Sequence, residues 1–392
     1  MQDKKVVLKK GKETPIKYKH HWIFSGAVQS APNYEDGDIL PVYSAGGELL
    51  GHGYFNHKTS ICGRMVNFSN EDPLLSIKEN IKAAIQLRDA VFYEPKTNCF
   101  RLINGEGDLI PGLVVDRYAD ALVMQINTTG IDKIKDFVLA TLVEELKDKI
   151  SCIYEKSVSS SRKQDGLLPF KGFLYGKEKQ KIQVLENNIK FNVDVVNGQK
   201  TGLFLDMRNM RSLIKEICKN KTVLNCFGYS GGFSLYALHG GAKNVVTVDI
   251  SKEATASAIE NFEINGFDHT KNKIITADVF DFLKTDSLNY DIIILDPPAF
   301  AKKKSDIHNA QKGYKEINKA ALSKMPSGSL LLTCSCSYYI DEEMFERVLS
   351  SAAKETGRTL KIISKHRLAQ DHVINPCHTE FNYLKSLLIY VY

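Results

Sequence analysis

One stretch of this chain limits its fold more than any other. Residues 223–250 read VLNCFGYSGGFSLYALHGGAKNVVTVDI. The apolar run from Val223 to Phe227 has the length of a buried strand. A small-residue turn follows, Gly228-Tyr229-Ser230-Gly231-Gly232, and Phe233 to Leu238 opens a helix that Gly240-Gly241 closes. A second apolar run, Val245 to Val248, ends on Asp249. Strand, glycine turn, helix, strand and acid form one unit of a doubly wound α/β sheet. The glycines let the backbone approach a ligand at the carboxyl edge of such a sheet. Asp249 closes the second strand about 20 residues on, where an acid grips a pair of ribose hydroxyls. The turn is not G-x-G-x-x-G, so taken alone it suits any tight α/β connection equally well.

The balance shifts downstream. Ile292-Ile293-Ile294-Leu295 reads as another buried strand and runs into Asp296-Pro297-Pro298-Ala299-Phe300. Asp-Pro-Pro-x-Phe at a strand end resembles motif IV of class I S-adenosylmethionine-dependent methyltransferases. With the turn and the ribose acid, it favours a methyltransferase over a nicotinamide enzyme.

At 392 residues the chain exceeds one compact domain, and two or three are expected. No apolar run approaches the length of a membrane span, and Met1 to Lys5 carry no apolar signal core, so a cytoplasmic location without a membrane partner is expected. Eight cysteines without a C-x-x-C pair read as free thiols, not as a disulfide frame or a zinc site, and no metal is expected. The net charge of +6 hints at a polyanionic partner.

Residues 1–68 carry Lys4, Lys5, Lys9, Lys10, Lys12, Lys17 and Lys19 near one end, followed by short segments between turn formers. They read as a small β barrel whose lysines are either a solvated face or a phosphate-contacting surface. His21-Trp22-Ile23-Phe24-Ser25-Gly26 and Gly51-His52-Gly53-Tyr54-Phe55-Asn56 resemble a PUA domain, an RNA-binding module. Residues 70–185 read as an α+β middle domain with a helix from Asp72-Pro73, a strand at 122–126 and an amphipathic helix at 131–146. The lysine-rich segment 162–181 is expected as a surface loop or hairpin, with strand contact to RNA as the sharper alternative.

Residues 186–392 form the expected catalytic domain. Strands are expected at 223–227, 245–249, 274–277, 291–295, 329–334, 359–365 and 384–391, and helices at 232–239, 252–265, 308–325 and 341–356. The final strand suits a reversed edge. Asp278 closes the third strand, where it either accepts a hydrogen bond from an adenine amino group or caps the next helix. Before the first strand, Gln199-Lys200-Thr201-Gly202-x-Phe204-x-Asp206-x-Arg208 is an interdomain connection, or resembles a family signature in which the loop folds over the methyl donor.

The chemistry rests on Leu330-Leu331-Leu332-Thr333-Cys334-Ser335-Cys336-Ser337. If the strand persists, both thiols face one side, and Cys336 lies nearer the ligand crevice. Most cysteines are small buried hydrophobes. Methylation of carbon 5 of cytosine, however, needs a nucleophile, because a thiolate on carbon 6 makes carbon 5 enamine-like.

Over nearly its whole length the chain resembles the ribosomal large subunit RNA cytosine-5 methyltransferase I family. The match is carried by Arg101-Leu102-Ile103-Asn104-Gly105-Glu106-Gly107, Pro111 to Arg117, Gln199 to Gly202, Asp296-Pro297-Pro298-x-Phe300 and Ser335-Cys336-Ser337. The resemblance implies RNA, 23S rRNA foremost, as partner and S-adenosyl-L-methionine as cofactor; a homodimer stays open. It implies Cys336 as nucleophile, with Asp296 holding ring nitrogen 3 or the amino group of cytosine. The expected cofactor-binding residues are Gln199, Thr201, Phe204, Asp206, Arg208, Phe227, Gly228, Ser230, Gly231, Gly232, Asp249, Ile250, Asp278, Asp296 and Pro297. Three other readings stand: base N-methylation of guanine or adenine, a small-molecule methyltransferase, and a non-catalytic RNA-binding protein.

Overall fold

The computed structural model describes residues 4–92 and 95–392, so the first three residues of the expected barrel lie outside the described residues. The chain divides into two compact units. The first comprises Met1–Leu185, Val193–Leu205 and Gln370–Phe381.

This first unit holds two sheets. The six-stranded sheet runs in the order Trp22–Ile23, Gly63–Asn67, Leu49–Phe55, Ile39–Tyr43, Val6–Leu8, Val28–Ser30. Burial alternates along Ile39–Tyr43 with the period of two that a one-sided sheet requires. Leu40, Val42, Val6, Leu8, Phe55 and Met65 fill its core. The five-stranded sheet runs Phe170–Gly176, Cys152–Ser157, Ala121–Ile126, Leu113–Tyr118, Cys99–Asn104. The helix Pro73–Val91 starts on Asp72, whose carboxylate accepts the amides of Leu74 and Leu75, with Pro73 at the first helical position. It packs Ile77, Ile81 and Ile85 against this sheet beside Val138 and Leu142 of the helix Lys135–Leu146. The helix expected over 131–146 is broken into Thr129–Lys133 and Lys135–Leu146. Buried polar contacts tie the two sheets together. Tyr54 donates its hydroxyl to Pro111 O at 2.7 Å, Asn56 Nδ2 reaches Asp165 O at 2.8 Å, and Arg64 pairs with Asp165 at 3.2 Å.

The segment 162–181 is not a loop throughout. Phe170–Gly176 is an edge strand, antiparallel to Cys152–Ser157, and Phe173 packs on Tyr154 with ring centroids 4.7 Å apart. Its residues alternate poorly between apolar and polar, so the pairing comes from backbone hydrogen bonds that a sequence pattern does not show.

The second unit comprises Glu186–Asn192, Asp206–Ala369 and Asn382–Tyr392. Its sheet has seven strands, β1 (Thr222–Cys226), β2 (Asn244–Asp249), β3 (Ile274–Thr276), β4 (Ile292–Leu295), β5 (Leu330–Ser335), β6 (Leu360–His366) and β7 (Lys385–Val391). The order is β3-β2-β1-β4-β5-β7-β6, parallel except for β7. Every residue of β4 is buried, as expected for a parallel strand covered on both faces. Strand order reverses at β1 and β4, the point where such sheets open a ligand crevice.

The expected single catalytic domain over 186–392 therefore differs from the observed grouping. Residues 193–205 and 370–381 belong to the first unit. Long-range polar contacts hold them there. Lys156 Nζ donates to Val195 O, Thr201 donates its hydroxyl to Asp116 at 2.6 Å, and Asp371 accepts the Arg101 amide at 2.8 Å. The eight cysteines form no disulfide, and no helix among the described residues is long and apolar enough to cross a membrane.

Candidate active site

The glycine turn leaves β1 in a backbone shape that few residues adopt. Phe227 (φ 58°), Tyr229 (φ 45°) and Gly231 (φ 80°) all have positive φ. Non-glycine residues there store strain, which is concentrated at binding sites. The turn is held from several sides. Gly228 N–H donates to Val248 O at 3.0 Å, Tyr229 N–H donates to Asp249 Oδ2 at 2.8 Å, and Asn261 Nδ2 donates to Ser230 O at 3.0 Å. A Cβ on Gly228 would meet Thr247 Cγ2 at 2.3 Å, so packing alone demands glycine there. Gly231 is the N-cap of the helix Gly232–His239, which begins at the crevice.

Asp249 ends β2. Its Oδ1 accepts the Ser251 amide at 2.9 Å, which fixes the carboxylate at the strand end. Ile250 beside it is 67% exposed, an aliphatic surface next to an acid. An acid for ribose hydroxyls and an apolar face for an adenine are the donor set that a nucleoside cofactor needs, and the residues present fit S-adenosylmethionine. Asp278 is seen as the N-cap of Val279–Thr285, accepting the Asp281 amide at 3.1 Å.

Beyond β4, Asp296 is half-buried, Pro297 is buried and Pro298 is exposed. β5 stops at Ser335, so Cys334 lies in the strand and Cys336 just past its end. The expectation that the strand carries both thiols on one face therefore gives way to two different environments. Cys334 is fully buried, and burial raises its thiol well above the usual range. Cys336 is partly exposed, and its thiol donates to Pro297 O at 3.8 Å. Ser337 ties the two loops together: its hydroxyl accepts the Ala301 amide at 3.1 Å and lies 2.9 Å from Tyr314 Oη. Phe300 packs on Tyr314 with ring centroids 4.6 Å apart.

The remaining expected cofactor residues divide between the units. Asp206 is buried in the second unit and accepts the Tyr383 hydroxyl at 2.6 Å. Arg208 is buried too, and its Nε donates to Glu186 Oε2 at 3.1 Å. Gln199, Thr201 and Phe204 belong to the first unit. There the Thr201 hydroxyl accepts from Tyr118 at 2.9 Å, Gln199 O accepts the Gly202 amide at 2.9 Å, and the Lys200 ammonium lies 4.2 Å from the Phe204 ring centroid.

Sequence reading missed several groups. Glu186 anchors Arg208, Arg211 and the Tyr236 hydroxyl, all buried. Lys385, at the head of β7, is buried and donates to Ser337 O and Tyr383 O, each at 2.6 Å. A lone lysine just ahead of the apolar run Leu387 to Val391 was the available signal. In the first unit, His20, His378 and Glu380 bring ligand-type atoms within 4.8 Å of one another. His20 Nδ1 accepts the Trp22 amide at 3.2 Å, so its Nε2 carries the proton and donates to Glu380 at 3.0 Å. That arrangement is an ordinary hydrogen-bonded chain.

A seven-stranded sheet with one reversed strand, a glycine turn and a strand-end acid defines an S-adenosylmethionine-dependent methyltransferase. The family model of that description matches residues 170–369, and a PUA-like domain model matches residues 6–68. A protein of Aliivibrio fischeri named ribosomal RNA large subunit methyltransferase I is 37% identical over 389 residues, covering 97% of this chain and 98% of that one. Its namesake in Shewanella denitrificans is 37% identical over 398 residues, covering 99% of each. The chain belongs to the ribosomal RNA large subunit methyltransferase I family. Among solved structures, SMU.776, described as a methyltransferase and complexed with SAH, matches with a TM-score of 0.85 at 26% identity, covering 98% of this chain and 99% of that one.

Proposed function

We propose that this protein methylates carbon 5 of a cytosine in 23S ribosomal RNA, with Cys336 as the covalent nucleophile. The observation that carries the reading is the partly exposed Cys336 thiol resting on the Pro297 carbonyl, at the carboxyl edge of the sheet. The names of the full-length relatives support ribosomal RNA as substrate, and the PUA-like domain supports RNA as partner. When bound, S-adenosylmethionine supplies an electrophilic methyl group. Cys336 attacks carbon 6 as a thiolate, so the carbon 5–carbon 6 double bond gives its electrons to ring nitrogen 3 and carbon 5 gains nucleophilic character. Asp296 holds the ring nitrogen or amino group that receives that charge. Once carbon 5 has bonded to the methyl group, loss of its proton to a base restores the carbon 5–carbon 6 double bond and expels the thiolate. The ribose contacts fall to Asp249, the adenine face to Ile250 and Asp278, and the turn residues Phe227, Gly228, Ser230, Gly231 and Gly232 line the donor. Gln199, Thr201, Phe204, Asp206, Arg208 and Pro297 complete the proposed set.

An N-methylating enzyme needs no thiol. Nucleoside mass spectrometry of 23S rRNA incubated with the protein and labelled donor tests the reading. Label in 5-methylcytidine supports it, and label in a methylated purine overturns it.

A further inference from the structure

The nucleophile of the proposed reaction must be a thiolate, and a thiolate beside a sheet edge needs a counter-charge. Lys385, Tyr314 and Cys334 each feel the charge of the Cys336 sulfur. Of these three, Lys385 is the cation. Its place follows from the sheet. β5 and β7 run antiparallel with Ser335 opposite Lys385, so both side chains project from the same face at the end where Cys336 begins. The Lys385 side chain is buried, and its ammonium is fixed by two backbone carbonyls at 2.6 Å, Ser337 O and Tyr383 O. Ser337 is the residue after Cys336, so the cation clamps the very turn that carries the sulfur. The other side of that turn is held by the Ala301 amide on the Ser337 hydroxyl.

The electrostatics agree with the geometry. Burial lowers Lys385 to about 8, and the charge of Cys336 is the strongest influence opposing that fall. Asp341 acts in the same sense as Cys336, and Arg367 acts against it. Interaction between two ionisable groups is mutual, so what Cys336 does for the ammonium, the ammonium does for the thiolate. Cys334, two residues back, is buried in the strand and stays protonated.

We propose that Lys385 is a positioning residue for Cys336: its ammonium clamps the turn after β5 and supplies the positive charge that keeps the sulfur as a thiolate. This rests on Cys336 as the nucleophile. It goes further by naming the group that readies the thiol before RNA arrives. No bond to carbon or sulfur is made by Lys385, and it loses no proton in the cycle.

The test reads the thiol without RNA. The full-length protein is treated with iodoacetamide over pH 6 to 10, and alkylation at each cysteine is followed by peptide mass spectrometry. Exposed Cys377 serves as the internal reference. In the unsubstituted protein Cys336 should reach half its maximal rate at a lower pH than Cys377. Lys385→Met should move the Cys336 midpoint upward by about one pH unit and slow its alkylation at pH 7 roughly tenfold, leaving Cys377 unchanged, whereas Lys385→Arg should retain much of the reactivity. A Cys336 that titrates with Cys377 in the unsubstituted protein overturns the proposal even if Lys385→Met does not fold. An unmoved Cys336 midpoint in a folded Lys385→Met protein overturns it as well. The nucleophile reading fails separately, if Cys336→Ala still methylates RNA; the alkylation profile is blind to that outcome.

Discussion

The thiol of Cys336 rests on the carbonyl oxygen of Pro297, 3.8 Å away, joining the end of β5 to the Asp-Pro-Pro loop after β4. The contact brings together two residues 39 positions apart in sequence, so the loop carrying Cys336 touches the loop that begins with Asp296.

Replacing Cys336 with alanine should abolish methylation and leave donor binding within about twofold, because the proposed donor contacts lie on other segments. RNA carrying 5-fluorocytosine should trap the unsubstituted protein covalently, since fluorine cannot leave as a proton does. Cys334→Ala should be much milder, its thiol being buried and protonated. An adduct mapped to Cys334 would refute the assignment.

Asp249 holds the turn in place beside its proposed role toward the donor. Asp249→Ala removes the acceptor of the Tyr229 and Ser251 amides as well as the expected ribose partner. Donor affinity should fall at least several-fold and stability by about 1 to 3 kcal/mol. Titration calorimetry and urea unfolding measure the two separately, and unchanged calorimetry removes Asp249 from the donor site.

Glu186 is the anion for two buried guanidinium groups. Arg211 Nε donates to its Oε1 at 2.8 Å, and Arg208 Nε to its Oε2 at 3.1 Å. Glu186→Ala should cost about 3 to 5 kcal/mol, because breaking a buried pair strands the opposite charge. A loss below about 1 kcal/mol in denaturant titration means that the cluster relaxes around the gap.

His21 gives the chain an acid-side instability. It is fully buried, Nδ1 donates to Met65 O at 2.8 Å, and burial lowers it to about 4. The unfolded chain takes up the proton near pH 6.5, so stability is complete above that pH and falls as pH drops towards 4. The loss from this group should be about 3 kcal/mol at most. His378 is likewise lowered to about 4 and acts in the same direction. His21→Gln should flatten the urea midpoint between pH 6.5 and 4.5 relative to the unsubstituted protein. Parallel pH curves would count against this account.

RNA affinity should fall steeply with salt, since phosphate contacts release counterions. Lys4, Lys5, Lys9, Lys10 and Lys12 are exposed on the first unit, as are Lys171, Lys177 and Lys181. Replacing Lys9, Lys10 and Lys12 with glutamine should reduce the slope of log affinity against log salt by about three. A slope that does not change places the RNA elsewhere.

The catalytic sheet was legible because its strands are buried on both faces and read as unbroken apolar runs. β2 ends on Asp249 and β4 on Leu295, as expected, and the helix 232–239 matches its expected bounds. The chemistry was legible in part. A pattern of alternation placed Cys334 and Cys336 together, but the strand ends between them. Lys385 and Glu186 escaped notice because their partners, Ser337 and Arg211, are distant in sequence and joined only by the fold. The same holds for residues 370–381, where Asp371 binds Arg101 across 270 positions.

The position of β7 has a consequence for synthesis. It is the last of the seven strands in chain order, yet it lies between β5 and β6, and among the described residues it is the only strand that β6 pairs with. While residues 385–391 are still within the ribosome, β5 presents an open hydrogen-bonding edge and β6 has no neighbour. A nascent chain thus carries a raw sheet edge until its last strand arrives, and unpaired edges are where chains aggregate. A chain cut anywhere before residue 385 would keep that edge permanently, and with it the tendency to pair with a neighbouring chain.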